Sequence, residues 1–321
     1  MAIFKTVSAA GAMAFGSAVA AMADDGLSGF KNGALVFGKS DTISMSEETL
    51  TISRSQITAD FHFVNTGKTA EKITVAFPLP DIDTAADDGL YIPVEDSDNF
   101  VGFTTEIDGK PVTNGLEQRA ITPGGKDVTD LLKSLDIPLV RPYWTYIDLL
   151  QALPDPMLKK LADAGAIAGE PGDRTPQWVT KSKFYFEQIF EPGKPVHIVH
   201  RYKPSLDTSN MSFYSGDMAP SPEQTTTFCL SDKVKTAVAE LEKTKSGEEY
   251  PYAQQFSLNY VLWTAKTWSG PIGHFHLIVD TEKPGIVATF CGDAKKTSPT
   301  RFEFEQDDFV PARDLDIVMF E

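Results

Sequence analysis

The stretch FHFVNTGKTAEKITVAFPLPDID, residues 61–83, constrains this chain more than any other. Phe61 and Phe63 share one face of an extended segment, and Ile73, Val75 and Phe77 share a face of the next. Alternation of period two is the signature of a half-buried strand, because successive side chains point to opposite sides of a sheet. Asn65-Thr66-Gly67-Lys68 supplies turn chemistry between the two runs, and Pro78 and Pro80 close the second. The pattern predicts two strands joined as a hairpin or as the corner of a sandwich.

The same texture extends over much of the chain. Thr49–Ile52 and Phe100–Ile107 read as strands, the latter running into Asp108-Gly109-Lys110, the strongest short hairpin signal present. Near Pro123-Gly124-Gly125 the period changes. Val128, Leu131, Leu132 and Leu135 follow helical spacing with Asp127 placed to cap them, and Tyr143, Ile147 and Leu150 follow it again. Asp155-Pro156 reads as an N-cap and N1 proline before a third helix.

Strands resume at Trp178. Phe184, Phe186 and Phe190, the turn Glu191-Pro192-Gly193-Lys194, and Val196–Tyr202 predict a long hairpin. A helix is expected from about Ser231 to Lys243, with Val234, Ala237, Val238 and Leu241 on one face. Segments Phe256–Trp263, Ile272–Asp280, Ile286–Cys291, Arg301–Glu305 and Asp314–Phe320 complete the strands. The fold class expected is mainly β with α inserts, built from antiparallel sandwich-like sheets. The organisation expected is a signal peptide at 1–23, a β-sandwich module at 24–122, a helical insert and linker at 123–176, and a β-rich module with one helix at 177–321.

The amino terminus predicts export. Lys5 precedes a run of small apolar residues that ends in Ala21-Met22-Ala23, an A-x-A signal with cleavage between Ala23 and Asp24. The run is shorter than the ~20 residues that span a bilayer, and no other apolar run of that length exists, so no transmembrane segment is expected after cleavage. The compartment expected is the periplasm. A formal charge of −16 repels phosphate backbones and anionic lipid, so nucleic acid is excluded as a partner.

Two cysteines, Cys229 and Cys291, suit one disulfide in an oxidising compartment. The competing reading makes Cys229 a nucleophile, activated by the helix start at Ser231-Asp232.

Several motifs resemble an uncharacterised family of exported bacterial proteins, the domain of unknown function family 4424. They are Leu35-Val36-Phe37 with Lys39-Ser40-Asp41, then Phe77-Pro78-Leu79-Pro80-Asp81-Ile82, then His200-Arg201-Tyr202 with Pro204-Ser205. Trp268-Ser269-Gly270-Pro271-Ile272, Phe275-His276-Leu277 and Phe290-Cys291 continue the likeness in order. The resemblance implies a bacterial exported protein and carries no catalytic residue. Residues 58–112 are also similar to the inter-α-trypsin-inhibitor N-terminal domain pattern, which implies a β-sandwich.

Candidate chemistry is sparse. His274 and His276 lie two apart on one strand face and could share a zinc ion with a third ligand such as His200. Asp81, Asp83, Asp87 and Asp88 crowd a loop that could hold calcium, although an alanine interrupts the EF-hand spacing. Arg201 and Tyr202, on opposite faces of a strand, are candidate ligand contacts, as are Trp263 and Trp268 in the aromatic-rich segment 250–268. No G-x-S-x-G, H-E-x-x-H or phosphate-cradling glycine loop occurs. The reading is therefore a non-catalytic periplasmic protein that binds a small ligand or an envelope protein, or scaffolds in the envelope. The alternative is a metal-assisted hydrolase or metal-binding protein using the strand histidines.

Overall fold

The structure, a computed structural model, describes residues 26–31, 34–85, 90–212, 219–247 and 251–321. The expected cleavage site at Ala23 and Asp24 lies outside them, as do Asp87 and Asp88. The fold is mostly β, with several antiparallel sheets and few helices. No helix among the described residues is long and apolar enough to cross a membrane.

An eight-stranded sheet runs in the order Lys295–Lys296, Arg301–Phe309, Ile272–Asp280, Ile43–Ile52, Ile57–Asn65, Pro195–Tyr202, Thr104–Ile107, Lys110–Val112. Its inner face packs against two further sheets. One carries Gly115–Ile121, Val179–Phe190, Glu71–Pro78, Gly26–Lys31 and Ala34–Phe37, with Ile82–Asp83 paired to Val179–Phe190. The other carries Val287–Phe290, Leu315–Phe320, Ala253–Tyr260, Leu206–Met211 and Leu90–Tyr91. Phe77 sits where the three meet, 5.0 Å from the His200 ring of the large sheet and 6.3 Å from Tyr260 of the third sheet. Strands from 24–122 and from 177–321 alternate within the sheets and share one apolar cluster. The two β regions of the sequence are thus interleaved.

The alternation seen at Phe61 and Phe63 holds along all of Ile57–Asn65, whose residues are buried at every second position. Strand Ile43–Ile52 is longer than the sequence pattern indicates, and the reason is a bulge between Met45 and Glu47. Ile43 and Met45 are buried before it and Glu48, Leu50 and Ile52 after it, so the phase slips by one residue. Gly273 accommodates the bulge: a Cβ there would lie 2.5 Å from the Ser46 carbonyl oxygen. This strand also pairs in parallel with Ile272–Asp280, the exception to the antiparallel pattern among the registered pairs.

Asp108 and Gly109 form the expected tight hairpin, with φ of 50° and 73° and Ile107 opposite Lys110. The hairpin expected from Phe184 to Tyr202 is not formed. Val179–Phe190 pairs with Glu71–Pro78 and Gly115–Ile121, whereas Pro195–Tyr202 pairs with Ile57–Asn65 and Thr104–Ile107. The connection crosses from one layer to the other, as does that from Asn65 to Glu71.

Asn65 fastens both crossings. Its fully buried amide donates from Nδ2 to the carbonyls of Thr69 and Phe190, each at 2.8 Å, and its Oδ1 accepts from Gly67 N–H. Its own carbonyl accepts from Gly193 N–H at 2.8 Å.

The helices Thr129–Ser134, Tyr143–Ala152 and Asp155–Asp163 bury Leu132, Tyr146, Leu150, Leu158 and Leu161 in a second cluster around Trp178. Asp127 lies one residue before the N-cap, Val128, which has no side-chain cap bond, so it does not cap the helix as expected; its Oδ1 accepts from Thr129 N–H at 2.9 Å. The third helix begins one residue earlier than read, with Pro154 as its N-cap and Asp155 inside. Helix Asp232–Thr244 starts on Ser231, whose hydroxyl accepts from Val234 N–H. Strand Leu206–Met211 and helix Pro222–Thr227 carry patterns too short and polar for the sequence to announce.

Cys229 and Cys291 are joined, across a sequence separation of 62. The bond ties the segment before helix Asp232–Thr244 to the end of strand Val287–Phe290, and it leaves no thiol for nucleophilic chemistry.

Two stability measurements test this account. Asn65→Ala removes three side-chain hydrogen bonds in a dry site, and denaturant unfolding is expected to show a loss of about 2–4 kcal/mol. Replacing both cysteines by serine should lower stability by roughly 2–4 kcal/mol, the loop-closure range for a bridge of this span.

Candidate functional site

A cavity of about 240 Å³ opens where strand Ile57–Asn65, the Leu79–Ile82 segment and the third sheet meet. Leu79, Ile82, Leu90, Phe100 and Val101 give it apolar walls, and Asp81, Tyr202, Ser205, Asn259 and Asp316 bring polar atoms to it. The FPLP turn places Asp81. Leu79 N–H bonds to the Ser182 carbonyl at 2.9 Å, which holds the turn against strand Val179–Phe190 and sets Asp81 beside Lys181.

Burial pushes the Asp81 carboxyl above the ordinary carboxylate range, and the bond and charge of Lys181 only partly oppose this. The carboxylate uses Oδ2 for Lys181; Oδ1 is buried with no hydrogen-bond partner among the described residues. Ser205 Oγ is in the same condition. Unsatisfied buried polar atoms are costly, at about 1–3 kcal/mol each, and both of these belong to residues that line this cavity.

The far wall is braced through the disulfide. Asp316 accepts from Asn259 Nδ2 and from Arg313 Nη2, both at 2.8 Å. Arg313 also donates to Cys291 Sγ at 3.1 Å and to the Thr227 carbonyl at 2.9 Å. A second hollow of about 430 Å³ lies between helix Asp232–Thr244 and strand Val287–Phe290. It is larger, but no buried unsatisfied polar side-chain atom among the described residues lines it. The smaller cavity is the better candidate for that reason.

Of the residues that the sequence singled out, Asp81 and Tyr202 meet at this cavity. Arg201 does not: it points to the outer face of the large sheet and pairs with Glu106 at 3.0 Å. Trp268 is core, 1 % exposed and 4.8 Å from the Phe63 ring, while Trp263 is partly buried against the same core. Neither forms an exposed aromatic platform. Asp83 accepts from Ala85 N–H and Asp81 bonds Lys181 through Oδ2, and neither belongs to a group of three or more potential metal ligands among the described residues. The sequence offers Ser205 only as part of the Pro204-Ser205 motif and not as a site residue, because a lone serine after a proline carries no periodic signal.

The histidines divide between the two faces. His200 is fully buried among Phe61, Phe77, Phe103 and Phe186, with ring centroids 4.9–5.9 Å away. The Thr105 hydroxyl donates to Asn114 Oδ1 at 2.8 Å, so its oxygen accepts from His200 Nδ1–H at 2.9 Å. His200 therefore does not join His274 and His276 in a zinc site, because alternation sends it to the opposite side of the sheet.

His274 and His276 do share the outer face, as expected, and each has acidic neighbours. His274 Nδ1 lies 2.7 Å from Asp307 Oδ1; His276 Nε2 lies 3.1 Å from Glu303 and 3.6 Å from Glu305. The hydrogen bond to Asp307, more than the surrounding charges of Glu305 and Glu47, raises the His274 pKa above the ordinary histidine value.

The chain is thus a strand-rich protein with a braced cavity. The sequence model of a family described as a domain of unknown function (DUF4424) matches residues 23–318, and the chain belongs to that family. Among solved structures the chain is similar to a Legionella pneumophila protein described as a candidate nutrient-binding protein. The identity is 13 %, the TM-score 0.45, and the match covers 94 % of this chain and 72 % of that one. It is also similar to yeast LTA4 hydrolase (10 % identity, TM-score 0.28, 87 % and 29 % covered). A zinc metallopeptidase from Deinococcus radiodurans follows (11 % identity, TM-score 0.23, 86 % and 42 % covered). Likeness at this level carries no argument about chemistry. Comparison with curated proteins returns no match.

The His274 assignment has a direct check. Protonated His274 gains from Asp307, so this contribution is present in full below the ordinary histidine pKa. It is lost as pH rises through the raised folded value. Imidazole titration by NMR should place the His274 midpoint above that of a free histidine, and Asp307→Asn should return it toward the ordinary value.

Proposed function

We propose that this protein is an exported binding protein of the bacterial cell envelope that takes a small, donor-bearing molecule into the cavity beside Asp81. The carrying observation is the buried Asp81 Oδ1, an acceptor with no protein donor among the described residues, in a residue that lines a cavity otherwise largely apolar. The ligand class this fits is an aliphatic amine or small polyol. Its donors would face Asp81 and Ser205 while its carbon skeleton covers Leu79, Leu90 and Phe100. A donor placed on a charged acceptor contributes about 1.5–3 kcal/mol. The disulfide accords with an oxidising compartment, and the periplasm is the location the proposal adopts.

Catalysis has no comparable support. Of the acids that line the cavity, Asp81 bonds Lys181 through one oxygen and Asp316 is tied to Asn259 and Arg313, while His200 is sealed in the core.

The test is a thermal-shift screen of the full mature chain against aliphatic amines, amino acids and small polyols, followed by calorimetry on the compounds that raise the melting temperature. Asp81→Asn is expected to weaken binding about tenfold or more, and Ser205→Ala by a smaller factor. Affinity for an amine should fall as pH drops through the raised Asp81 pKa, because the ionised acceptor is lost there. Binding that is indifferent to both substitutions would move the ligand elsewhere and defeat the proposal.

A further inference from the structure

The outer face of the large sheet carries a second, independent arrangement. His62 and His197 stand directly opposite each other on strands Ile57–Asn65 and Pro195–Tyr202. Their rings stack with centroids 4.5 Å apart and planes 9° from parallel. Asp60, two residues before His62 on the same face, sets one carboxylate oxygen against both imidazoles. Its Oδ1 lies 2.7 Å from His197 Nε2 and 3.6 Å from His62 Nε2. The three donor atoms lie within 4.8 Å of one another, and the side chains are only 35–40 % exposed.

We propose that Asp60, His62 and His197 form a binding site for a divalent transition-metal ion of the zinc type. Several lines of chemistry converge on that class. Two imidazole nitrogens and one carboxylate oxygen are a borderline donor set that suits zinc, whereas calcium requires oxygen ligands throughout. Zinc holds nitrogen at about 2.0–2.1 Å, so donors in a tetrahedral shell stand roughly 3.4 Å apart. Each donor pair needs to change by no more than about 1.5 Å, the 2.7 Å Asp60–His197 pair opening. The stacked rings must also turn out of parallel so that both nitrogen lone pairs meet one ion; side-chain rotation is the adjustment this requires. A water would complete the shell on the solvent side.

The sheet supplies rigidity and charge. Both histidines sit on interior strands whose neighbours on either side are paired, so the separation of their Cα atoms is set by the ladder. Glu47 is the register partner of His62 on the other flank, and it adds negative charge beside the site. It occupies that position because the Met45/Glu47 bulge rephases its strand. An Asp–His hydrogen bond alone would account for the 2.7 Å contact. It does not account for the second imidazole, stacked on the first with its Nε2 turned to the same oxygen.

The site lies on the opposite side of the sheet from the apolar core, so its test and that of the Asp81 cavity are independent. Zinc chloride titrated into the full mature chain without a histidine tag is expected to shift the Nε2 resonances of His62 and His197 together, leaving His200 unchanged. By calorimetry, His62→Ala and His197→Ala should each weaken zinc binding by about tenfold or more, the loss of one ligand of three. The double variant His274→Ala, His276→Ala should retain the wild-type affinity within about twofold. Zinc that shifts neither His62 nor His197, or that reports only at His276 with Glu303 and Glu305, would overturn the proposal. So would equal affinity in the His62→Ala chain. Should a variant fail to fold, the wild-type imidazole shifts decide alone.

Discussion

The structure depends on how the chain passes between layers, and one buried amide governs that passage. Asn65 ends a strand of the large sheet, and its side chain bonds both its own corner at Gly67 and Thr69 and the end of a strand in the facing sheet at Phe190. The second crossing, at Gly193, returns a bond to the Asn65 carbonyl. Two connections distant in sequence are therefore clamped to each other at one point. Because a one-residue slip in a strand exchanges its faces, this clamp also protects the registers that bury Phe61, Phe63 and Phe190.

Alternation on the strands that leave this clamp sorts the titratable groups by environment. His200 goes inward and joins an aromatic box, with a polar contact to Thr105. His62, His197, His274 and His276 go outward, where each meets a carboxylate on its own or an adjacent strand. The sheet thus separates a hydrogen-bonded core histidine from a solvent-facing row of imidazoles and acids. The bulge at Met45/Glu47, with Gly273 beside it, extends that row by turning Glu47 outward and Glu48 inward.

The disulfide has a role beyond closing a loop. Through Arg313, which touches Cys291, Thr227 and Asp316 at once, it fixes the position of an acid on the cavity wall. On the facing wall Asp81 is held by the FPLP turn and Lys181. Preorganised walls lower the ordering cost of binding, which matters for a small ligand with few contacts to offer.

Much of the fold was legible in the chain. Period-two alternation marked the strands Ile57–Asn65 and Ile272–Asp280, Asp108-Gly109 marked its turn, and Ser231 marked its helix, because each rests on chemistry within a few residues. Pairing was not legible. The two long strands flanking Gly193 read as a hairpin and instead enter different sheets, since a turn sequence does not reveal whether its arms bond to each other or cross a sandwich. The bulge concealed the first half of strand Ile43–Ile52 by breaking its alternation.

The candidate sites divide in the same way. By itself the sequence determined which side chains share a face, so that His274 and His276 stand together and Arg201 faces away from Tyr202. It also supplied the cysteine pair. Only the tertiary structure decided that Asp81 would meet Ser205 and Asp316 at one cavity, and that His62 and His197 would stack across two strands. Those contacts join positions more than a hundred residues apart, and strand order and register, which are collective properties of the packed sheets, set them.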